Sequence, residues 1–308
     1  MEKWYMIVNQ HSASASNGDA WIETKKILTD AGLEVESVIT GHAGHAIELA
    51  RDAAAKGFRK FIAVGGDGTI HEVMTGLLRY ADAEKADLGE FTLGVLPYGT
   101  GNDWIRSAGI AKDMAAAAGC IINGKTAKED IVRLTFANGV FCMANIGGIG
   151  LDADICYHTN NLKAKGHKGE FLYKMVAPYS IFDKKRHPVE IELDGEKVFS
   201  GKLYSAVIGN GIYRGGGLKQ NQEGGNWSDG QLEVSILPGV SRIKGMKVMM
   251  HALSDDLAAQ PEMITKRFRK MTVKPLGKPD RVESDGEIPG TTPVTVELTG
   301  QQINIIVA

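Results

Sequence analysis

Residues 61–72 read FIAVGGDGTIHE: an apolar run, a glycine turn and the start of an amphipathic stretch. The backbone N–H groups of such a turn, and the amino end of the helix behind it, face an incoming anion, which is how phosphate is commonly held. Asp67 stands in the middle of that turn, where a carboxylate repels phosphate. Two roles answer the objection. Either Asp67 forms the turn and caps the helix while Gly65, Gly66 and Gly68 allow the bend, or a cation, most simply a metal ion, lies between it and the phosphates. A second acidic turn, SDGEIPG at 284–290, offers Asp285 and Glu287. Read alone it is an exposed turn between strands, in which Asp-Gly needs no chemistry.

Two literal motif matches fail on context. GCIINGKT (119–126) fits a phosphate-loop pattern letter for letter, but a helix runs into it and a strand leaves it, the reverse of the order that chemistry needs. GIGLDA (148–153) fits the loose dinucleotide pattern without a crossover helix or a well-placed ribose acid after it, and reads as a turn between strands.

The elements that must position the acidic turns fall into two halves. Over the first 125 residues strands alternate with helices: strands at 3–8, 33–39, 60–64 and 91–96, helices at 20–31, 45–57, 70–80, 102–108 and 112–122. Ile70, Val73, Met74, Leu77 and Leu78 repeat at helical spacing and give one buried face. This order predicts an α/β domain with a mostly parallel sheet and its ligand at the carboxyl ends of the strands, where the 65–69 turn sits. From about 128 short strands take over, such as DIVRLTF, VFCMANIG and VTVELT, predicting a second, β-rich, sandwich-like domain with helical interruptions at 169–182 and 242–257.

Composition is that of a globular protein, with 43% hydrophobic and 23% charged residues. A formal net charge of −2 gives no pull toward nucleic acid. Glycine, at 38 of 308 residues, is in excess and clusters at 65–68, 99–101, 147–150 and 215–217, which points to several tight loops. Cys120, Cys142 and Cys156 lack metal or disulfide spacing and read as buried thiols of a reducing cytoplasm. The N-terminus reads as a first strand, and no run approaches the length of a membrane span, so membrane contact is expected to be peripheral. The eight histidines show no metal spacing, and His42 and His45 read as local capping or packing groups.

VGGDGTIHEV, LPYGTGNDWIRSAGI (96–110), TGHAGHAIELA (40–50) and SDGE (284–287), in this order and spacing, resemble the diacylglycerol kinase catalytic family, in particular its bacterial soluble lipid kinases, within a superfamily that includes the sphingosine and NAD kinases. The resemblance runs from the first strand to the last. It implies ATP and Mg²⁺ as cofactors, a nucleotide site lined by Asn9, Thr40, Gly65, Gly66, Asp67, Gly68, Thr69, Gly99, Thr100, Gly101, Asn102 and Asp103, and catalytic carboxylates at Asp67, Asp130, Asp285 and Glu287. It also implies a structural magnesium loop at NWSDGQLEV, with Asp229 as carboxylate and Asn226 and Gln231 beside it. The chain differs in carrying Gln10-His11-Ser12-Ala13 where the family has a proline and glycine-containing turn, and Ser228 where an acid is common.

On this resemblance, Asp67 helps organise Mg²⁺ near the phosphates, and Glu287 takes the proton of the attacking lipid hydroxyl. The expected layout is an ATP-binding domain of 1–125 with about 291–308, facing a lipid-substrate domain of 126–290 across a cleft. Seven Lys or Arg between 163 and 186, against Glu170 and Asp183 and interleaved with apolar residues, read equally as a solvated helix and as a surface resting on anionic lipid. The expected partners are a lipid at the inner membrane face and a second copy of the chain, with no nucleic acid. An NAD kinase-like enzyme and a non-catalytic lipid-binding module are the rivals.

Overall fold

The structure, a computed structural model, describes residues 3–12, 19–99, 102–165, 187–219, 227–241 and 260–308, with isolated positions between them. The chain forms two compact units, 1–131 with 300–308, and 132–299. Each division falls inside a strand.

The first unit runs β1 (Lys3–Val8), α1 (Ala20–Asp30), β2 (Glu34–Ile39), α2 (His45–Ala55), β3 (Lys60–Gly65), α3 (Asp67–Glu84), β4 (Thr92–Pro97), α4 (Asp103–Ser107), α5 (Met114–Asn123) and most of β5 (Thr126–Phe136). Its strands β2, β1, β3 and β4 lie side by side and parallel, and Asn304 and Ile305 near the chain's end add a further parallel strand beside β4. Such sheets are covered on both faces, and β1, β3 and β4 are buried almost end to end. Gly76 of α3 lets the helices close: a Cβ there would lie 2.3 Å from the carbonyl oxygen of Ile47 in α2. The 119–126 segment is the tail of α5, an αL cap at Gly124 and the start of β5, the order that excludes a phosphate loop.

The second unit continues with β6 (Gly139–Met143), β7 (Ile146–Gly150), α6 (Leu151–Ala164), β8 (Pro188–Leu193), β9 (Glu196–Gly209), β10 (Tyr213–Arg214), β11 (Leu218–Lys219), β12 (Leu232–Pro238), β13 (Ile264–Phe268), β14 (Lys270–Pro275), β15 (Arg281–Ser284), β16 (Glu287–Thr291) and the first part of β17 (Val294–Ile306), whose remainder belongs to the first unit. β9 belongs to two antiparallel layers. Its first half pairs with β8, which leads on to β14 and β17, and its second half, past Gly201, pairs with β7 and β12. Side chains of both layers, among them Leu134, Ile191, Ile208, Val234, Val273 and Val296, share one apolar core.

Two expectations need correction here. VFCMANIG is not one strand but the end of β6, a break at Ala144-Asn145, and the start of β7. GIGLDA is not a turn between strands: β7 passes through Gly150 directly into α6. It still makes no dinucleotide unit, because β7 pairs antiparallel with β9 and β15. The helices expected at 169–182 and 242–257 lie almost wholly outside the described residues, as does most of the basic 163–186 stretch. Among the described residues no helix is long and apolar enough to cross a membrane. Of the three free cysteines only Cys142 is fully buried.

Candidate functional site: two loop systems built on carboxylate clamps

At the carboxyl ends of the parallel strands of the first unit, Asn9 follows β1, Thr40 follows β2, Gly65 ends β3 and Gly99 lies just beyond β4. Asn9 Nδ2 donates to Thr69 Oγ1 at 3.2 Å, and the Ser12 hydroxyl lies 3.4 Å from the same oxygen. Thr69 folds back over the strand end because Gly65 has no side chain: a Cβ there would lie 2.1 Å from Thr69 Oγ1. The two glycine loops touch, a Cβ on Gly99 falling 2.9 Å from Gly66 Cα. Asn102, in the left-handed region at φ 51°, donates from Nδ2 to Gly99 O at 2.8 Å and closes the second loop. Thr100 and Gly101 lie outside the described residues.

Asp67 is the first residue of α3, and Gly66 is the N-cap, with no side-chain cap bond. Its carboxylate reaches across instead: Oδ2 accepts from the backbone N–H of Asp103 and Oδ1 from that of Trp104, both at 3.0 Å. These are N–H groups of the first turn of α4, which its own helix leaves unsatisfied, so Asp67 caps a neighbouring helix rather than its own. Glu72, further along α3, does the same for α2, accepting from Gly44 N at 2.9 Å and Ala46 N at 3.1 Å. One helix therefore fixes both flanking loops through two carboxylates. Trp104 is fully buried, and its indole N–H donates to Glu129 at 3.1 and 3.3 Å. Glu129 on β5 thus touches this loop, a residue that sequence reasoning missed. Its neighbour Asp130 is buried and accepts from Gln302 Nε2 at 2.9 Å.

Two other features of this unit are structural. An open concavity of about 560 Å³ at the amino ends of β1, β3 and β4 is lined by Lys3, Lys56, Arg59 and Lys60. Three of its cations are engaged, Lys3 by Glu36 at 2.8 Å, Arg59 by Glu90 at 3.2 Å, and Lys60 by the face of Trp4. His42, His45 and Glu48 bring possible ligand atoms within 4.8 Å of one another. However, His45 Nδ1 accepts from Gly41 N at 2.8 Å, His42 Nδ1 lies 2.9 Å from Ala43 O, and the rings stack at 4.6 Å, so the pair braces the loop before α2.

In the second unit the Asp285-Gly286 turn joins β15 to β16, with both residues left-handed at φ 52° and 85°. Asp285 is buried. Its Oδ1 accepts from Asn145 N at 2.8 Å and Ile146 N at 3.2 Å, and its Oδ2 from Ala144 N at 2.8 Å and the Ser284 hydroxyl at 3.2 Å. This carboxylate, expected to be catalytic, clamps the break between β6 and β7. Asn145 in turn donates to Tyr213 O at 2.8 Å, and Asn210 to Ala144 O at 3.1 Å, tying in the 210–213 loop. Glu287, the next residue after the turn, is exposed.

Further acids missed in the sequence surround the turn. Asp152, in the first turn of α6, is buried and binds the Ser205 hydroxyl and the Arg214 guanidinium. Glu283 accepts from Gly286 N at 2.7 Å. Packing strips its carboxyl of water and lifts its pKa well above the usual range, with Asp285 and Asp152 adding to the rise and the Gly286 N–H opposing it. The Cys156 thiol is likewise pushed up, by burial first and then by Glu283 and Glu287.

Residues 3–134 match the diacylglycerol kinase catalytic domain, and residues 146–307 match the YegS C-terminal NAD kinase beta sandwich-like domain. A diacylglycerol kinase of Bacillus subtilis (strain 168) is 30% identical over 266 residues, 85% of this chain and 82% of that protein. The chain belongs to the diacylglycerol kinase catalytic-domain family. A YegS-like protein of Klebsiella pneumoniae (strain 342), named a probable lipid kinase, is 32% identical over 225 residues, 73% of this chain and 71% of that protein. A solved diacylglycerol kinase structure from Bacillus anthracis str. Sterne superposes with a TM-score of 0.72 at 20% identity, covering 100% of this chain and 97% of that one, a likeness of fold.

In the magnesium loop that resemblance to the diacylglycerol kinase family implies, the carboxylate of Asp229 is engaged by groups of this chain. Asp229 Oδ1 accepts from Gln231 N at 3.0 Å, and Oδ2 is taken by the guanidinium of Arg267 on β13. A cation is therefore already present, and Gln231 serves through its backbone rather than its side chain. Asn226 lies outside the described residues. Thermal unfolding of the protein without nucleotide is expected to be the same in EDTA as in millimolar Mg²⁺. A transition that rises with Mg²⁺ and falls on chelation would show that an ion displaces Arg267.

Proposed function

We propose that the protein is a lipid kinase that moves the γ-phosphoryl group of Mg-ATP to the hydroxyl of a lipid such as diacylglycerol, working at the inner face of a membrane. The observation that carries this reading is the exposed Glu287 on a turn whose neighbouring backbone is clamped by the buried Asp285. A general base needs a carboxylate that reaches its substrate and does not wander. Asp67 is then a positioning residue, holding the 99–104 loop against the amino end of α3. The backbone N–H groups of that helix end, with Asn9 and Thr69 beside them, receive the nucleotide phosphates. The Mg²⁺ that arrives with the nucleotide offsets charge on the phosphoryl oxygens.

In the transfer the lipid O–H proton passes to Glu287, the alcohol oxygen bonds to the γ-phosphorus, and the bond to the β–γ bridging oxygen breaks, leaving ADP. Purified protein incubated with γ-labelled ATP, Mg²⁺ and a total lipid extract is expected to label a lipid in the organic phase, whose mobility names the acceptor. An organic phase without label, from protein that binds ATP by thermal shift, overturns the reading.

A further inference from the structure

Glu287 has to be aimed, and Asp285 accounts for only one side of its turn. The other side is Gly286, an exposed glycine at φ 85°, the kind of residue that moves freely when nothing holds it. Here both of its peptide groups are held. Its N–H donates to Glu283 Oε1 at 2.7 Å. Its carbonyl, which belongs to the peptide bond joining it to Glu287, accepts from Cys156 Sγ at 3.0 Å and from Asn160 Nδ2 at 2.8 Å. Cys156 and Asn160 stand four residues apart on α6 and so present to the same place. Asn160 also lies 3.6 Å from the sulfur, so the two donors sit side by side over one acceptor.

We propose that Glu283, Cys156 and Asn160 are positioning residues for Glu287, fixing its carboxylate by gripping the peptide groups on either side of Gly286. None of the three lies in the DGE triplet itself, and two of them come from a helix more than 120 residues earlier in the chain. The Cys156 thiol stays a donor because burial and the nearby carboxylates keep its proton on. The catalytic half of this inference rests on Glu287 as the base of the proposed transfer, whereas the grip itself does not.

The experiment therefore reads both halves, on full-length Asn160→Ala, Asn160→Asp, Glu283→Ala and Glu283→Gln. Hydrogen exchange at the amides of Gly286 and Glu287 reports the grip without any assay of activity. Steady-state kinetics of lipid phosphorylation report its consequence. Asn160→Ala, Asn160→Asp and Glu283→Ala are expected to speed exchange at this turn and to lower kcat about 10- to 100-fold, the size of effect that misplacement of a reacting group produces, with KM for nucleotide unchanged. Glu283→Gln keeps the acceptor for Gly286 N and should stay near wild type in both. Unchanged exchange in Asn160→Ala and Glu283→Ala overturns the grip. Faster exchange with an unaltered kcat overturns the catalytic role while leaving the lipid kinase reading intact. A Glu283→Gln variant as impaired as Glu283→Ala overturns the role given to Glu283, since charge and not the hydrogen bond would then matter. Failure of the kinase reading shows separately, as wild-type protein that labels no lipid, and the exchange data still decide the grip.

Discussion

Glu287→Gln is expected to fold as the parent does, to bind nucleotide unchanged, and to lose about 10²- to 10⁴-fold in the rate of lipid phosphorylation, the range that removal of a general base spans. The fold should not notice: Glu287 is exposed at the start of β16, and its replacement is nearly isosteric. The turn keeps its clamps as well, those through Asp285 and those through the peptide groups of Gly286. What changes is the ability to take a proton from the attacking alcohol. Single-turnover rates with saturating lipid, set beside thermal shifts with and without nucleotide, separate the outcomes. A variant that phosphorylates lipid at the parent rate removes Glu287 from the chemistry. One that is slow and also melts early would instead make it part of the structure.

Local periodicity made much of the frame legible. The apolar spacing of Ile70, Val73, Met74, Leu77 and Leu78 marked α3, and all five are buried. Alternation at Val294, Val296 and Leu298 marked β17, the first two buried and Leu298 partly so. What stayed hidden depended on partners distant in sequence. VFCMANIG looks like one strand, but the N–H groups of residues 144–146 turn to Asp285, some 140 residues away, and no local pattern encodes that. β7 is buried throughout and rich in glycine, so it shows neither alternation nor the apolar run that would separate it from the α6 it feeds.

The acidic residues carry the sharper lesson. Asp67 was legible as important in either of two ways, as a helix cap or as a metal organiser, and it turns out to cap a helix other than its own. Asp285 and Asp67 would both be kept by a protein with no activity, because buried backbone N–H groups left without acceptors are costly. Their presence alone therefore does not argue for catalysis. Glu129, Glu283 and Arg214 gave no signal at all, since each acquires its partner only when the chain is folded: Trp104, Gly286 and Asp152 respectively.

That division of labour sets the largest expected effect on stability. Asp285→Ala leaves three backbone N–H groups at residues 144–146 without their acceptor, in a buried position, and at φ 52° removes the short polar side chain that lets Asp and Asn tolerate the left-handed region better than Ala. Together these should destabilise the second unit by on the order of 4 kcal/mol, lowering its unfolding temperature by roughly 10 °C. Asp285→Asn separates the two causes. It suits the left-handed backbone, but it offers one acceptor oxygen where the carboxylate has two and turns an NH₂ group toward a backbone donor. If the hydrogen bonds dominate, Asn should lose most of what Ala loses; if backbone strain dominates, Asn should be nearly as stable as the parent. Activity lost in Asp285→Asn and regained on cooling, in step with refolding of the turn, is the result expected of a clamp. A protein that is fully folded by calorimetry and still inactive at every temperature would return Asp285 to the chemistry and break the distinction between the residue that holds the turn and the residue the turn presents.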